Sequence, residues 1–283
     1  MKPIVLITGC SSGFGMLTAL ELAATCHVIA TVRNKEKERD LFNHCSHQQL
    51  NIDIQYCDVT DPESIQKVAE HIETSYKRLD VLINNAGYGL GGYFEDLEDS
   101  EIRDLFNTNV FGLQRVTKAV LPLLRQSKSA KIINLSSIAG LTASPCISAY
   151  NASKWAVEGF SEALLFELLP FNIDVVLVEP GQFNTKIFSS NLRFAKGMKN
   201  PQSPYYSYSQ KAMKKLNGMI QKGLADPKKV TQLIVKVVFK KKPKTRYLIG
   251  WDAYVRLYLR RLLPFEWYKK IVGALYLKLM HKS

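Results

Sequence analysis

Seven short runs rich in valine and isoleucine punctuate the chain, and helix-patterned stretches separate most of them. The runs fall at 3–8, 27–32, 52–57, 80–84, 131–136, 173–178 and 245–249. The helical stretches fall near 13–25, 35–45, 61–76, 98–126, 148–169 and 226–240; in the first, Leu17, Leu20 and Ala24 recur at helical spacing. Val81-Leu82-Ile83 and Val175-Val176-Leu177-Val178 are apolar without interruption, the pattern of strands buried on both faces. Strand–helix alternation implies right-handed crossovers, so the expected fold is α/β, a doubly wound parallel sheet of Rossmann-like type, with seven strands and helices on both faces. Ligands of such sheets bind beyond the carboxyl ends of the strands. No internal repeat or low-complexity linker divides the 283 residues, which read as a single domain. One irregular stretch, about 182–225, is rich in Pro, Gly, Ser and Tyr, and a loop of that length is expected to be a substrate lid.

Composition removes several classes. No apolar run reaches the roughly 18 residues of a spanning helix. The N-terminal segment Met1 to Gly9 could pass for a very short signal sequence, but it lacks a small-residue cleavage site and leads straight into a glycine motif, so it reads as the first strand. The five cysteines, Cys10, Cys26, Cys45, Cys57 and Cys146, are scattered with no C-x-x-C pair, which suits a reducing cytosol. His44-Cys45-Ser46-His47 has no distant partner pair of metal-site spacing, and no metal is expected.

The segment Thr8-Gly9-Cys10-Ser11-Ser12-Gly13-Phe14-Gly15 follows the first strand and opens the first helix. Its glycines allow a tight turn and let backbone N–H groups approach a pyrophosphate at a helix N-terminus. The spacing is G-x-x-x-G-x-G rather than the commoner G-x-G-x-x-G. After the second strand, where a carboxylate would hold the ribose 2′-hydroxyl of NAD, the chain has Thr31-Val32-Arg33-Asn34. Arg33 suits a 2′-phosphate, with Ser11 as a second donor, so the expected cofactor is NADP(H).

Tyr150 and Lys154 stand four residues apart, which stacks them on one helix face. A phenol of pKa about 10 is a poor base at neutral pH, and a nearby ammonium is expected to pull that value down. Such a pair is a candidate proton-transfer device, although Y-x-x-x-K also arises by chance.

Taken together, these residues resemble the short-chain dehydrogenase/reductase family, closely over about 3–185 and loosely beyond. The resemblance also rests on Asn84-Asn85-Ala86-Gly87, Asn109-Val110-Phe111-Gly112, Ser136-Ser137, Pro180-Gly181 with Thr185, and Asp58-Val59 at the position that meets the adenine ring. Thr8 to Gly15, Ala30 to Asn34 and Leu262 to Tyr268 look most like the 17β-hydroxysteroid and retinol dehydrogenase branch. Acyl-dihydroxyacetone-phosphate and keto-sphingoid reductases look similar overall.

The resemblance implies an oxidoreductase acting on a CH–OH group. Tyr150 would exchange a proton with the substrate oxygen, Lys154 would hold the nicotinamide ribose, Ser137 would bond the same oxygen, and Asn109 would fix a water linking Lys154 to solvent. The implied cofactor set is Gly9, Ser11, Ser12, Gly13, Phe14, Gly15, Arg33, Asp58, Val59, Asn85, Ala86, Gly87, Tyr150, Lys154, Pro180, Gly181 and Thr185. Leu90, Leu141 and Cys146 would border the substrate pocket together with Ser137. The lid aromatics Phe183, Phe188, Phe194, Tyr205, Tyr206 and Tyr208 suit a steroid-, retinoid- or lipid-like ketone or aldehyde and its alcohol, with Phe183 and Tyr205 as the wall. A cofactor-sensing regulator is an alternative, but such a protein typically lacks the tyrosine or lysine. An epimerase or dehydratase generally has a different glycine spacing. Family members often form dimers or tetramers through helices equivalent to 98–126 and 148–169.

Charge is unevenly spread. Residues 1–185 carry 15 Lys and Arg against 22 Asp and Glu, whereas 186–283 carry 23 against 3. Such asymmetry points to an anionic partner. No nucleic-acid motif accompanies it. The stretch 251–283 interleaves Arg256, Arg260, Arg261, Lys269, Lys270 and Lys278 with Trp267, Tyr268, Ile271, Leu275 and Leu279, a basic amphipathic extension able to lie on a membrane surface or to cover the pocket or a subunit contact. The expected location is cytoplasmic, peripheral to a membrane where this extension engages one.

Overall fold

A computed structural model of the chain describes residues 2–33, 41, 50–184, 191–221 and 223–281, with side chains to residue 278. Seven parallel strands form the central sheet: β1 (Ile4–Ile7), β2 (His27–Val32), β3 (Asp53–Tyr56), β4 (Val81–Asn84), β6 (Ala130–Leu135), β7 (Ile173–Pro180) and β9 (Arg246–Ile249). Their lateral order is β3-β2-β1-β4-β6-β7-β9. The chain winds outward through β2 and β3, then returns to the other side of β1 at β4, so the direction of winding reverses between β1 and β4. That reversal leaves a crevice at the carboxyl ends of the strands. All seven expected strands are present within two residues of their expected bounds, and the register pairs Leu6 with Ile29 and with Leu82.

Side-chain parity along the strands divides the core in two. Val5, Ile7, Val28, Ala30, Ile133 and Val176 face one layer, where α1 (Gly13–Leu22) and α7 (Lys228–Phe239) contribute Ala19, Leu22, Val230 and Ile234. Ile4, Leu6, Ile29, Leu82, Ile132 and Val175 face the other. There α2 (Pro62–Tyr76), α4 (Leu113–Arg125) and α5 (Ser148–Leu168) supply Ile65, Ile72, Val120, Leu124 and Leu164. A pleated strand alternates its side chains, so an uninterrupted apolar run serves both layers. Between β4, β6, α4 and α5 runs a buried polar chain: the Asn84 amide donates to Asn134 Oδ1 and Thr117 Oγ1, both at 2.9 Å, and the Asn134 amide donates to Ser161 Oγ at 2.8 Å.

Three regions depart from the sequence reading. The stretch 98–126 is not one helix but α3 (Asp99–Phe106), a π-helical turn (Asn107–Gly112) and α4. The described part of the lid stretch contains regular elements. It carries β8 (Leu192–Phe194), which pairs in parallel with β5 (Gly89–Gly91) as a second small sheet, and α6 (Tyr206–Gln221). The extension folds as α8 (Trp251–Leu262) and α9 (Phe265–His281), broken at Pro264, because the residue before a proline is driven away from helical dihedrals. The helix expected at 35–45 lies outside the described residues apart from Leu41.

Candidate active site

The glycine turn and the loop after β4 are locked together before any ligand is considered. Thr8 Oγ1 accepts hydrogen bonds from the Asn85 and Ala86 backbone N–H groups, each at 3.0 Å. The Asn85 amide donates back to the Thr8 and Gly9 carbonyls at 2.9 and 3.0 Å. Gly9 has φ +72°, and a Cβ there would stand 2.8 Å from Ala86 Cα. That position needs glycine on two counts, backbone conformation and space. The N-cap of α1, Ser12, makes no side-chain capping bond, so the first N–H groups of this helix remain available to an anion at the crevice.

The crevice floor comes from the turn residues Gly9, Ser11, Ser12, Gly13 and Phe14. Arg33, Asp58 and Val59 line the end beyond β2 and β3. Asn85, Ala86 and Gly87 line the centre, and Tyr150, Lys154 and Pro180 the end toward β6 and β7. Three expected members are elsewhere or undescribed. Gly15 makes room for Asn85, whose amide nitrogen would be 2.4 Å from an added Cβ. Gly181 packs against Asp252, with an added Cβ 2.2 Å from its carboxylate. Thr185 lies outside the described residues.

At the β6 end, α5 presents Tyr150 and Lys154 on one face. The Ser137 hydroxyl, just past β6, is a hydrogen-bond partner of the Tyr150 phenol and also accepts from Ala139 N–H at 3.1 Å. The neighbouring Ser136 hydroxyl points elsewhere, donating to buried Glu158, so the two serines have separate tasks. Lys154 Nζ donates to the Leu135 carbonyl at 2.7 Å and stands 5.9 Å from the centre of the Tyr150 ring. Burial pushes the phenol up to about 12, and Ser137 pulls it part of the way back. Burial likewise lowers the Lys154 ammonium to about 8, with Glu158 opposing. The ammonium was expected to draw the phenol down. Here Ser137, and not the ammonium, is what opposes the effect of burial on the phenol, because Lys154 is directed at a backbone carbonyl.

Beneath this pair lies a charged cluster. Arg246 on β9 bonds to Glu158 and Glu162 of α5 and to Glu179 of β7, the last two at 2.8 Å. It ties the sheet edge to the helix that carries Tyr150. Asn109 is buried on the π-helical turn. Its side chain accepts from Tyr88 N–H and donates to the Tyr88 carbonyl, both at 3.0 Å, and reaches Ser153 Oγ at 3.4 Å. The side chain thereby pins the backbone just after Gly87.

The expected substrate wall divides. Leu90 is buried in a cluster that Tyr150 packs against. Cys146 has φ +65°, and its carbonyl accepts from Gly92 N–H at 2.7 Å. Tyr205 stacks on Tyr93 at 4.4 Å, and the Tyr93 hydroxyl is hydrogen-bonded to that of Tyr276 at 2.7 Å. Leu141 is half-buried directly after Gly140. Phe183 departs from expectation: only 1% exposed, it packs edge-on against Phe14 in the core rather than lining the crevice. Phe188 lies outside the described residues.

Sequence reasoning missed Tyr88, Asn191 and Arg193, which also line the crevice. Tyr88 directly follows the Asn-Asn-Ala-Gly motif and was within reach of the pattern. Asn191 and Arg193 belong to no motif; they arrive because β8 pairs with β5. Asn191 reaches Ser12 Oγ at 3.4 Å, and the Arg193 guanidinium lies 4.2 Å over the Tyr88 ring.

A model of the short chain dehydrogenase family matches residues 3–196. The chain belongs to that family. It is an oxidoreductase by family. The uncharacterised oxidoreductase YusZ of Bacillus subtilis is 41% identical over 277 residues, covering 96% of this chain and 97% of that protein. The 3-ketodihydrosphingosine reductase of Bacteroides thetaiotaomicron is 39% identical over 252 residues, covering 88% of this chain and 89% of its own. The crystal structure of a short-chain dehydrogenase from Streptomyces avermitilis superposes with a TM-score of 0.79 at 36% identity, over 96% of this chain and 98% of that one.

Proposed function

We propose that this chain interconverts an apolar ketone or aldehyde and its alcohol, with NADP(H) as cofactor. The observation that carries the reading is the meeting of Tyr150, Ser137 and Lys154 at one end of a crevice whose other end holds Arg33. The residues fit a dinucleotide: an uncapped helix N-terminus beside Gly9 and Gly13 for the pyrophosphate, and no carboxylate at the end of β2. The Asp58 carboxylate is engaged in its own turn, accepting from Thr60 N–H and Thr60 Oγ1 at 2.9 and 2.7 Å. When bound, the nicotinamide supplies or takes the hydride.

The protein's part is polar. Tyr150 donates its phenolic proton to the carbonyl oxygen during reduction and takes it back during oxidation. Ser137 donates a hydrogen bond to the same oxygen as negative charge grows there. Lys154 would hold the nicotinamide ribose of the bound cofactor and favour the phenolate as the proton leaves. Asn109, packed beside Gly87, holds the Tyr88 backbone in place at the crevice. The cysteine pattern supports a cytoplasmic setting.

Tyr150→Phe tests the reading. Turnover of NADPH with a panel of steroid, retinoid, sphingoid and short-chain carbonyls should fall by about 10² or more, while NADPH binding by fluorescence titration persists. Substantial residual turnover would remove the proton-donor role. Wild-type binding of NADPH without turnover of any carbonyl would favour a sensor.

A second reading narrows the substrate to a keto-sphingoid base. The 39% identity to a protein of that activity along 88% of the chain supports it. Faster reduction of 3-ketodihydrosphingosine than of steroid or retinoid carbonyls would select it.

A further inference from the structure

Helix α8 is built inside out. Asp252 faces inward, accepting from Gln182 N–H at 3.0 Å, and Arg256 reaches back to Ser144 Oγ at 2.6 Å. Ala253 is fully buried between them. The outward side is apolar: Trp251 is 82% exposed, Leu262 76% and Tyr258 56%, with Tyr254, Val255 and Leu259 beside them. Helical spacing sets these six in one band. A helix in contact with water carries its polar residues outward, and this one reverses the rule. Beyond Pro264 the theme continues on α9. Its Tyr276 is tied to Tyr93, while Trp267, Ile271 and Leu275, four residues apart in turn, are exposed.

We propose that this face docks on an anionic lipid surface, with α8 lying in the plane of the interface. Charge selects this occupant over a second copy of the chain. Residues 186–283 carry 23 Lys and Arg against 3 Asp and Glu, and one of those acids, Asp252, is already engaged inward. Arg261, Lys269 and Lys270 are exposed on the same two helices. A two-fold dimer across the band would set this basic rim against its own copy, whereas phosphate-bearing lipid neutralises it. The tyrosines and tryptophan within the band suit the headgroup level. Among the described residues no helix is long and apolar enough to cross a membrane, so the helix lies on the surface instead of spanning it.

Flotation of the full chain with vesicles of phosphatidylcholine, alone or mixed with phosphatidylglycerol, tests the docking. The chain should float with the mixed vesicles, release as NaCl is raised, and show a blue shift of tryptophan emission on binding. Val255→Glu with Leu262→Glu should weaken partitioning by roughly tenfold or more. Both positions are exposed and outside the catalytic crevice, so thermal melting and turnover of a water-soluble carbonyl serve as controls for the fold. Arg261→Gln with Lys270→Gln should weaken binding to the charged vesicles and lower its salt dependence. Failure of the full chain to float, or equal binding to neutral vesicles, overturns the proposal. So does a dimer in ultracentrifugation that the Val255/Leu262 pair dissolves, which would make a second copy the occupant. These outcomes are independent of the reaction proposed above, which Tyr150→Phe addresses.

Discussion

Burial moves the acidities of Tyr150 and Lys154 in opposite directions, the phenol up to about 12 and the ammonium down to about 8. At neutral pH the phenol is protonated and ready to give its proton to a carbonyl. Reduction should therefore hold level through neutrality and decline as pH rises through about 8, where Lys154 loses its charge. Oxidation needs the phenolate, so its kcat/KM should climb by up to about tenfold per pH unit below neutrality. Initial rates in both directions across pH check the pair, and a flat oxidation profile would contradict it. Arg33→Ala should weaken NADPH binding by roughly tenfold to a hundredfold, the loss of a charge-assisted pair, and leave NADH binding nearly unchanged. Equal losses for both cofactors in a titration would deny Arg33 the 2′-phosphate. At this scale much of the site was legible, because Gly9, Asn85, Ser137, Tyr150 and Lys154 are residue types that the chemistry itself requires. Phe183 was misread because an aromatic ring in a lid segment looks the same whether it walls a pocket or fills the core. Gly15 and Gly181 carry a related ambiguity: a glycine records that something comes close, not whether that neighbour is a ligand or, as here, Asn85 and Asp252.

Elements differ in how plainly they announce themselves. The inner strands of the main sheet were readable because each is an apolar run buried on both faces, whereas the half-exposed edge strands β3 (Asp-Ile-Gln-Tyr) and β9 (Arg-Tyr-Leu-Ile) were legible chiefly from their place in the strand–helix alternation. The π-helical turn was not, because it runs on from α3 into α4 without a cap or break that the sequence could signal. The β5–β8 pair is three residues of Gly-Leu-Gly against Leu-Arg-Phe, too short for alternation and held only by tertiary pairing. Helix α6 buries only Ser209 completely, so it shows little of the apolar stripe that marks a core helix. The contact between the glycine turn and the β4 loop gives a test. Gly9→Ala should destabilise the chain by about 2 kcal/mol or more, from left-handed strain plus overpacking against Ala86. Urea unfolding measures it, and a change within error would mean that the two loops are not in close contact.

On the scale of the whole molecule, a second apolar surface is exposed besides that of α8 and α9. The outer side of α5 shows Trp155 at 48% and Phe166 at 62% exposure, and Phe111 on the π-helical turn is 48% exposed. We expect a second copy to cover these. Phe166→Glu should shift the chain toward monomer in ultracentrifugation, and Leu262→Glu should leave the association intact. A monomeric wild type would remove the pairing.

The buried amides of Asn84 and Asn134 bear on how the chain finds its form. Among otherwise hydrocarbon neighbours, β4 and β6 could slide past each other at little loss of apolar contact. A slip would strand the two amides in an oily interior, while the hydroxyls of Thr117 and Ser161, which donate to the Leu113 and Val157 carbonyls of their own helices, would lose only the amides they accept from. The penalty for the wrong alignment exceeds the gain from the right one. This short polar seam thus acts as a proofreader, and it guards the very strands whose ends carry Asn85 and Ser137.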